Sequence, residues 1–237
     1  YLPGIRRFYR WLLPILPQVI QAWDLRGYDI VISSSHCVAK GCRIPRGTLH
    51  ISYCHAPLRY AWGFRDDYFG RFPPIVRRVI DAVLDRMRDW DRKTCRDVHL
   101  FIANSENTRN RILDFYERKA RVVYPPVDVG AWDAPREPKQ DFFLVVSALV
   151  PYKRVELAIR AFNAMRYPLK GIGDGPERTR REKLAGPTVT LLGSVGDDEL
   201  RRHYASARAL VFPGEEDFGI VPVEAQAAGC PVIAYAR

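Results

Sequence analysis

Short apolar runs alternate with amphipathic stretches along this chain, stop at a polar, proline-bearing segment, and then begin alternating again. Tyr28–Ser33 reads as a short buried strand closing on a Ser-rich turn, and Leu49–Cys54 as a second strand ending at His55-Ala56-Pro57. From Pro74 to Cys95, Val76, Val79, Ile80, Val83, Leu84 and Met87 recur at helical spacing among Arg and Asp. A third strand is expected at Leu100–Ala103, then a helix capped by Asn104-Ser105, then a fourth strand at Val122–Val127 that the prolines terminate. Residues 133–141 read as an interdomain linker. Beyond them, strands are expected at Phe142–Ser147, Val189–Leu192, Ala209–Phe212 and Pro231–Tyr235. Helices are expected at Val155–Met165, Asp197–Ser206 and Val221–Ala228. Such alternation gives a parallel α/β sheet on each side of the linker, with domains at 1–132 and 142–237.

At 237 residues and 47% hydrophobic content, the chain can build both cores. No apolar run approaches the roughly 18 residues of a membrane-spanning helix, and the start, Tyr1-Leu2-Pro3-Gly4, is unlike a signal peptide. Five cysteines without a CxxC pair argue against a disulfide framework or zinc site and favour a reducing compartment. Charge is uneven. Residues 1–140 hold 24 Lys and Arg against 15 Asp and Glu, whereas residues 141–237 hold 13 against 12. The first half therefore suits an anionic partner, with nucleic acid, an anionic membrane face and phosphorylated lipid all open. Its first 25 residues combine Arg6, Arg7 and Arg10 with Phe8, Tyr9 and Trp11, and Pro14 and Pro17 allow at best a broken helix.

The densest chemistry lies at Glu216-Asp217-Phe218-Gly219-Ile220-Val221-Pro222-Val223-Glu224. Two carboxylates bracket seven residues, and a glycine turn opens a helix between them. A helix N-terminus offers backbone N–H groups and a positive dipole end to a phosphate, and Gly219 lets a ligand approach the backbone. Glu216 and Glu224 can each accept hydroxyl hydrogen bonds, at different ends of one molecule. A diphosphate with a hydroxylated group at each end fits. Two unrelated glutamates on an amphipathic helix fit the spacing alone equally well.

The surrounding residues resemble family 4 of the glycosyltransferases, the retaining group with the GT-B fold and an E-x7-E motif. The likeness runs through Ala225–Ala234 and upstream to Val146–Arg154, Gly173-Asp174-Gly175-Pro176-Glu177 and Leu192-Gly193-Ser194-Val195, all in family order. The resemblance implies two Rossmann-like domains, both partial, with the nucleotide-sugar donor on the second and the acceptor on the first. By the same resemblance, Lys153 neutralises the diphosphate and Glu216 holds sugar hydroxyls. Phe218, Gly219, Ile220 and Val221 present backbone to sugar and phosphate, Gly173 lines the site, Glu224 binds ribose, and Ser194 and Val195 lie near the base. Ala148 stands where many members carry Arg, so diphosphate affinity rests on Lys153, with Arg154 either compensating or facing solvent.

Ser33–His36 and Tyr53–Tyr60 resemble strand ends in the acceptor domain of the mannosyltransferase-like subgroup, which makes His55 the cleft histidine and His36 a weaker candidate. His50, His99 and His203 read as structural. The resemblance implies a metal-independent hexosyltransferase without cofactor, taking a GDP- or UDP-linked sugar as co-substrate and a glycan or lipid-linked acceptor. Mannose is the favoured sugar, and polysaccharide, lipopolysaccharide or glycolipid synthesis the setting. A cytoplasmic location is expected, with peripheral contact on an anionic inner membrane face set against a merely solvated basic face. Two alternatives stand beside this: a non-catalytic basic nucleic-acid-binding protein, which no RRM, zinc or recognition-helix pattern supports, and an inactive piece of a longer transferase.

Overall fold

A computed structural model describes residues 12–63, 65–70, 72–132 and 138–235. Arg6, Arg7, Phe8, Tyr9, Arg10 and Trp11 of the basic aromatic segment, and linker residues 133–137, lie outside the described residues. The chain forms two compact units, one up to Tyr124 and one from Pro125. This division precedes the polar stretch read as a linker. The reason is Trp132, in the turn Val129–Trp132, which packs on the second unit's core and meets Tyr204 edge-on at 5.7 Å.

In the first unit, β1 (Ile30–Ser35), β2 (Leu49–Cys54), β3 (Leu100–Ala103) and β4 (Ala120–Val122) pair in parallel in that order. The register aligns Ser35 with Cys54 and Cys54 with Ala103, so His36, His55 and Asn104 emerge along one edge. Helices α1 (Pro74–Thr94) and α2 (Glu106–Tyr116) follow β2 and β3. Ser105 caps α2 by accepting the Thr108 N–H at 3.0 Å.

Three expectations need correction here. Among the described residues, β1 lies at the edge of its sheet rather than buried, with Ile30 and Ile32 exposed. β4 lies upstream of its expected span, because Ala120–Val122 are the residues in register with β3, and Val123 is exposed. On α1, Leu84 and Met87 are buried, but Val76 and Val79 face outward.

A buried ion pair locks this unit. The Lys40 ammonium donates to the Asp91 carboxylate at 2.5 Å, and the indole N–H of Trp62 and phenol of Tyr116 donate to the other carboxylate oxygen at 2.8 and 2.7 Å. One carboxylate thus joins the β1–β2 connection, α1, α2 and the turn Arg59–Trp62. Every polar atom that it gathers is satisfied, which is the condition for burying such a pair without a large penalty. Burial pulls the Lys40 ammonium down, but Asp91, Cys95 and Cys54 together outweigh it and hold Lys40 above its ordinary range.

In the second unit, β5 (Phe143–Val146), β6 (Leu169–Ile172), β7 (Val189–Gly193), β8 (Leu210–Phe212) and β9 (Val232–Ala234) form a parallel sheet in the order β7-β6-β5-β8-β9. Helices α3 (Val155–Met165), α4 (Arg178–Leu184), α5 (Asp197–Ser206) and α6 (Ile220–Ala227) connect them. Both faces are covered, as the period-two alternation of a strand requires. Leu144 packs with Tyr204, Leu210 and Ala225 on one face, and Val145 with Ile159, Phe162 and Leu169 on the other. The chain runs outward from β5 through β6 to β7, then returns to β8 on β5's other side. The strand order therefore reverses between β5 and β8.

Candidate functional site

In open parallel sheets, a ligand crevice forms outside the carboxyl ends of the strands where their order reverses. Here that place lies between the loops leaving β5 and β8, and Lys153 and Glu216 sit on those two loops. Their side chains form an ion pair, both largely shielded from solvent. Gly214 makes the approach possible: a Cβ there would lie 3.0 Å from the Lys153 Cα and 2.9 Å from its carbonyl oxygen. The Lys153 ammonium also lies 5.4 Å from the centre of the Tyr152 ring.

Around this pair the strand ends are drawn tight. Gly173, at the end of β6, has φ +125°, and a Cβ would fall 2.0 Å from the Ser147 carbonyl oxygen. Its N–H donates to the Gly193 carbonyl at 2.8 Å, tying the β6 and β7 ends together. Arg181 buttresses this loop from beneath. It is buried, pairs with Glu156 at the start of α3, and donates to Glu177 at 2.7 Å. Arg154 starts α3 in the left-handed conformation (φ +52°), and its guanidinium stacks 5.7 Å from the Tyr235 ring, just past β9.

Gly219 adopts φ +83° and starts α6. No side chain caps this end, which leaves the first-turn N–H groups of Ile220 and Val221 for a ligand or solvent. Glu224 is half-buried one turn further on. Burial lifts its carboxyl above the ordinary range, Tyr204 opposes the shift, and Asp197 adds to it. Val195 packs on the core cluster that contains Tyr204, while Ser194 is exposed. Phe218 is half-buried.

Of the sequence-derived residues, the structure thus pairs Lys153 with Glu216 and packs Gly173 at the same strand edge. Glu224 it brings to Tyr204, which belongs to the cluster on which Val195 packs. Sequence reasoning missed Gly214, Tyr204 and Arg181. Pro213-Gly214, directly after a strand, was the available signal for the first; Arg181 lies in a charged run with no pattern to mark it.

In the first unit, His55 directly follows β2. Its Nε2 lies 2.8 Å from the Ser34 hydroxyl, and its ring meets Tyr53 edge-on at 5.1 Å. Partial desolvation, then His55 and Arg59, push the His36 imidazole below its usual range. His50 is buried with Nε2 2.9 Å from the Ser33 hydroxyl, and its backbone N–H donates to His99. Among the described residues, no group of three or more His, Cys, Asp or Glu side chains is arranged to hold a metal ion.

Residues 1–131 match the model of Glycosyltransferase Family 4, and residues 131–237 that of Glycosyl transferases group 1. This chain belongs to glycosyltransferase family 4. It is 36% identical over 187 residues to a GDP-mannose-dependent α-(1-6)-phosphatidylinositol monomannoside mannosyltransferase of Mycobacterium tuberculosis, a match spanning 66% of this chain and 47% of the relative. It is 25% identical over 231 residues to O-antigen chain mannosyltransferase B of Escherichia coli, covering 75% of this chain and 60% of that protein. The chain accordingly spans about half the length of these curated relatives. A sucrose-phosphate synthase from Thermosynechococcus elongatus shares the fold with TM-score 0.68 at 18% identity, over 99% of this chain and 62% of that structure. An Anabaena HepE structure in complex with UDP and glucose gives 0.57 at 16%, over 98% and 64%. The two parallel sheets are therefore those of a GT-B glycosyltransferase.

Proposed function

We propose that the second unit binds a nucleotide-diphosphate sugar and that the family member built on this chain transfers its hexose, with retention, to an acceptor hydroxyl. The observation that carries this reading is the placement of Lys153 and Glu216 on the two loops flanking the reversal between β5 and β8. Breaking the bond between anomeric carbon and phosphate oxygen leaves the electron pair on the diphosphate. Lys153 neutralises that growing charge, aided by the N-terminal dipole of α6, so no metal or other cofactor is needed. Glu216 orients the sugar through its hydroxyls, Glu224 takes the ribose hydroxyls, and Ser194 and Val195 border the base. Gly173, Phe218, Gly219, Ile220 and Val221 line the path between, with Arg154 a second cation at the strand edge. The acceptor oxygen attacks from the face that the diphosphate leaves, its proton passing to a phosphate oxygen. His55, with its Nε2 beside the Ser34 hydroxyl, serves the acceptor side.

Mannose from GDP-mannose is the favoured donor, supported by the GDP-mannose dependence of the Mycobacterium tuberculosis relative and by the Escherichia coli relative being a mannosyltransferase. Calorimetric titration tests it: GDP-mannose is expected to bind at least tenfold tighter than UDP-glucose. Equal or reversed affinities would reject mannose while leaving the transferase reading intact.

A lipid-linked acceptor at an anionic membrane face, reached from the cytoplasm, is favoured by one surface. On the first turns of α1, Ile75 and Val79 are 78% and 63% exposed beside Arg77 and Arg78. Next to them a groove of about 390 Å³ is lined by Tyr68, Phe69, Phe72 and Ile80. Apolar side chains flanked by arginines suit the interface of an anionic bilayer, and no helix among the described residues is long and apolar enough to cross one. The chain should float with phosphatidylglycerol vesicles and not with phosphatidylcholine, and Ile75→Asp/Val79→Asp should abolish flotation. Flotation unchanged by that pair of substitutions would remove this surface from the account.

A further inference from the structure

We infer that Glu216 makes this site select sugar-bearing over bare nucleoside diphosphates, by competing with the diphosphate for Lys153; the inference rests on the donor reading above. Lys153 and Glu216 are already partners, with side-chain exposures of 18% and 15%. At that degree of burial, opposite charges hold each other more strongly than at an open surface. A diphosphate that reaches Lys153 therefore competes with Glu216 for the ammonium.

The loop that carries Glu216 is packed closely on the one that carries Lys153. Gly214 presses its loop onto the Lys153 backbone, at the 2.9–3.0 Å separations a Cβ would have there. Tyr152 lies against the ammonium on another side, at 5.4 Å. When a bare nucleoside diphosphate binds, Glu216 is left poorly solvated, stripped of its cation and close to added negative charge. These effects disfavour the complex. When the ligand carries a sugar, its hydroxyls can donate to the Glu216 oxygens and replace the lost partner with charge-assisted hydrogen bonds. The same arrangement acts after transfer, when the sugar has left: the diphosphate faces an uncompensated carboxylate, and Glu216 can recapture Lys153 as the product departs. Glu216 is thus a specificity-determining residue whose effect is opposite in sign on donor and on product.

The experiment is calorimetric titration of the 237-residue chain and of Glu216→Gln with GDP, UDP, GDP-mannose and UDP-glucose. Glutamine keeps the shape and removes the charge. The expected result is that Glu216→Gln binds the bare diphosphate roughly tenfold tighter than the wild type, while the sugar nucleotide binds no tighter, so the preference for the sugar nucleotide collapses. Glu216→Ser must show the same gain for the bare diphosphate, which keeps the test open if the glutamine variant folds poorly. Bare diphosphate binding that is unchanged or weaker in both variants, with the wild type binding normally, overturns this inference and leaves the donor reading standing. A wild type that binds neither the diphosphates nor their sugars overturns the donor reading, and this inference with it.

Discussion

Gly173 shows how closely the donor side is drawn together. Its φ of +125° is a conformation that L side chains rarely adopt, and a Cβ there would clash with the Ser147 carbonyl oxygen at 2.0 Å. Gly173→Ala should destabilise the second unit by about 3 kcal/mol and weaken sugar-nucleotide binding, read together from thermal melting and calorimetry. A melting temperature within error of the wild type would show that the loop yields freely. Gly173 was legible from its place in an ordered set of glycine-bearing landmarks. Gly214 also lies close to its neighbour, a Cβ there falling 2.9 Å from the Lys153 carbonyl oxygen, but belongs to none of the landmarks recognised, so only the fold reveals it. The same holds for Tyr204, whose relation to Glu224 depends on two helices meeting on one face of the sheet.

At the scale of elements, legibility followed apolar periodicity. Helices α3 and α5 occupy their expected spans, because Val155, Ile159 and Phe162 in one and the acidic first turn of the other mark them plainly. β6 was invisible: Leu169-Lys170-Gly171-Ile172 offers two large apolar side chains around a glycine that Leu191 packs against. α4 was invisible too, since Arg178–Leu184 has almost no apolar face and is held by the ion pairs of Arg181. For β1 the composition was right and the surroundings wrong, as an apolar run does not say whether one face or both are covered.

The first sheet also carries a pH dependence of its own. Burial pushes the His50 imidazole below its ordinary range. The unfolded chain takes up a proton near pH 6.5, whereas folded His50 stays neutral to lower pH, so the unfolded state binds more protons in between. His50 therefore makes stability fall as pH drops from about 6.5 toward its lowered folded value, and adds nothing further below that. Denaturant midpoints between pH 7 and pH 5 should fall less steeply in a folded His50→Gln variant. Identical slopes would show that His50 does not govern the acid response.

For the molecule as a whole, the charge asymmetry and the two sheets belong to one description. The near-neutral second unit concentrates its site chemistry at the reversal between β5 and β8, and the basic first unit carries His55 at a strand edge and an exposed apolar stretch on α1. The sequence order of four landmarks was enough to identify the family and both sheets. It could not show that Lys153 and Glu216 are partners, because that depends on two loops 63 positions apart meeting across adjacent strands. The central claim is that those loops form a diphosphate-sugar site, and the most direct test compares sugar-nucleotide affinity in the wild type and Lys153→Ala by calorimetry. Loss of a charge-assisted contact of about 1.5–3 kcal/mol predicts an affinity roughly 10- to 100-fold weaker, with the fold intact by circular dichroism. An unchanged affinity in a folded Lys153→Ala variant would contradict the account.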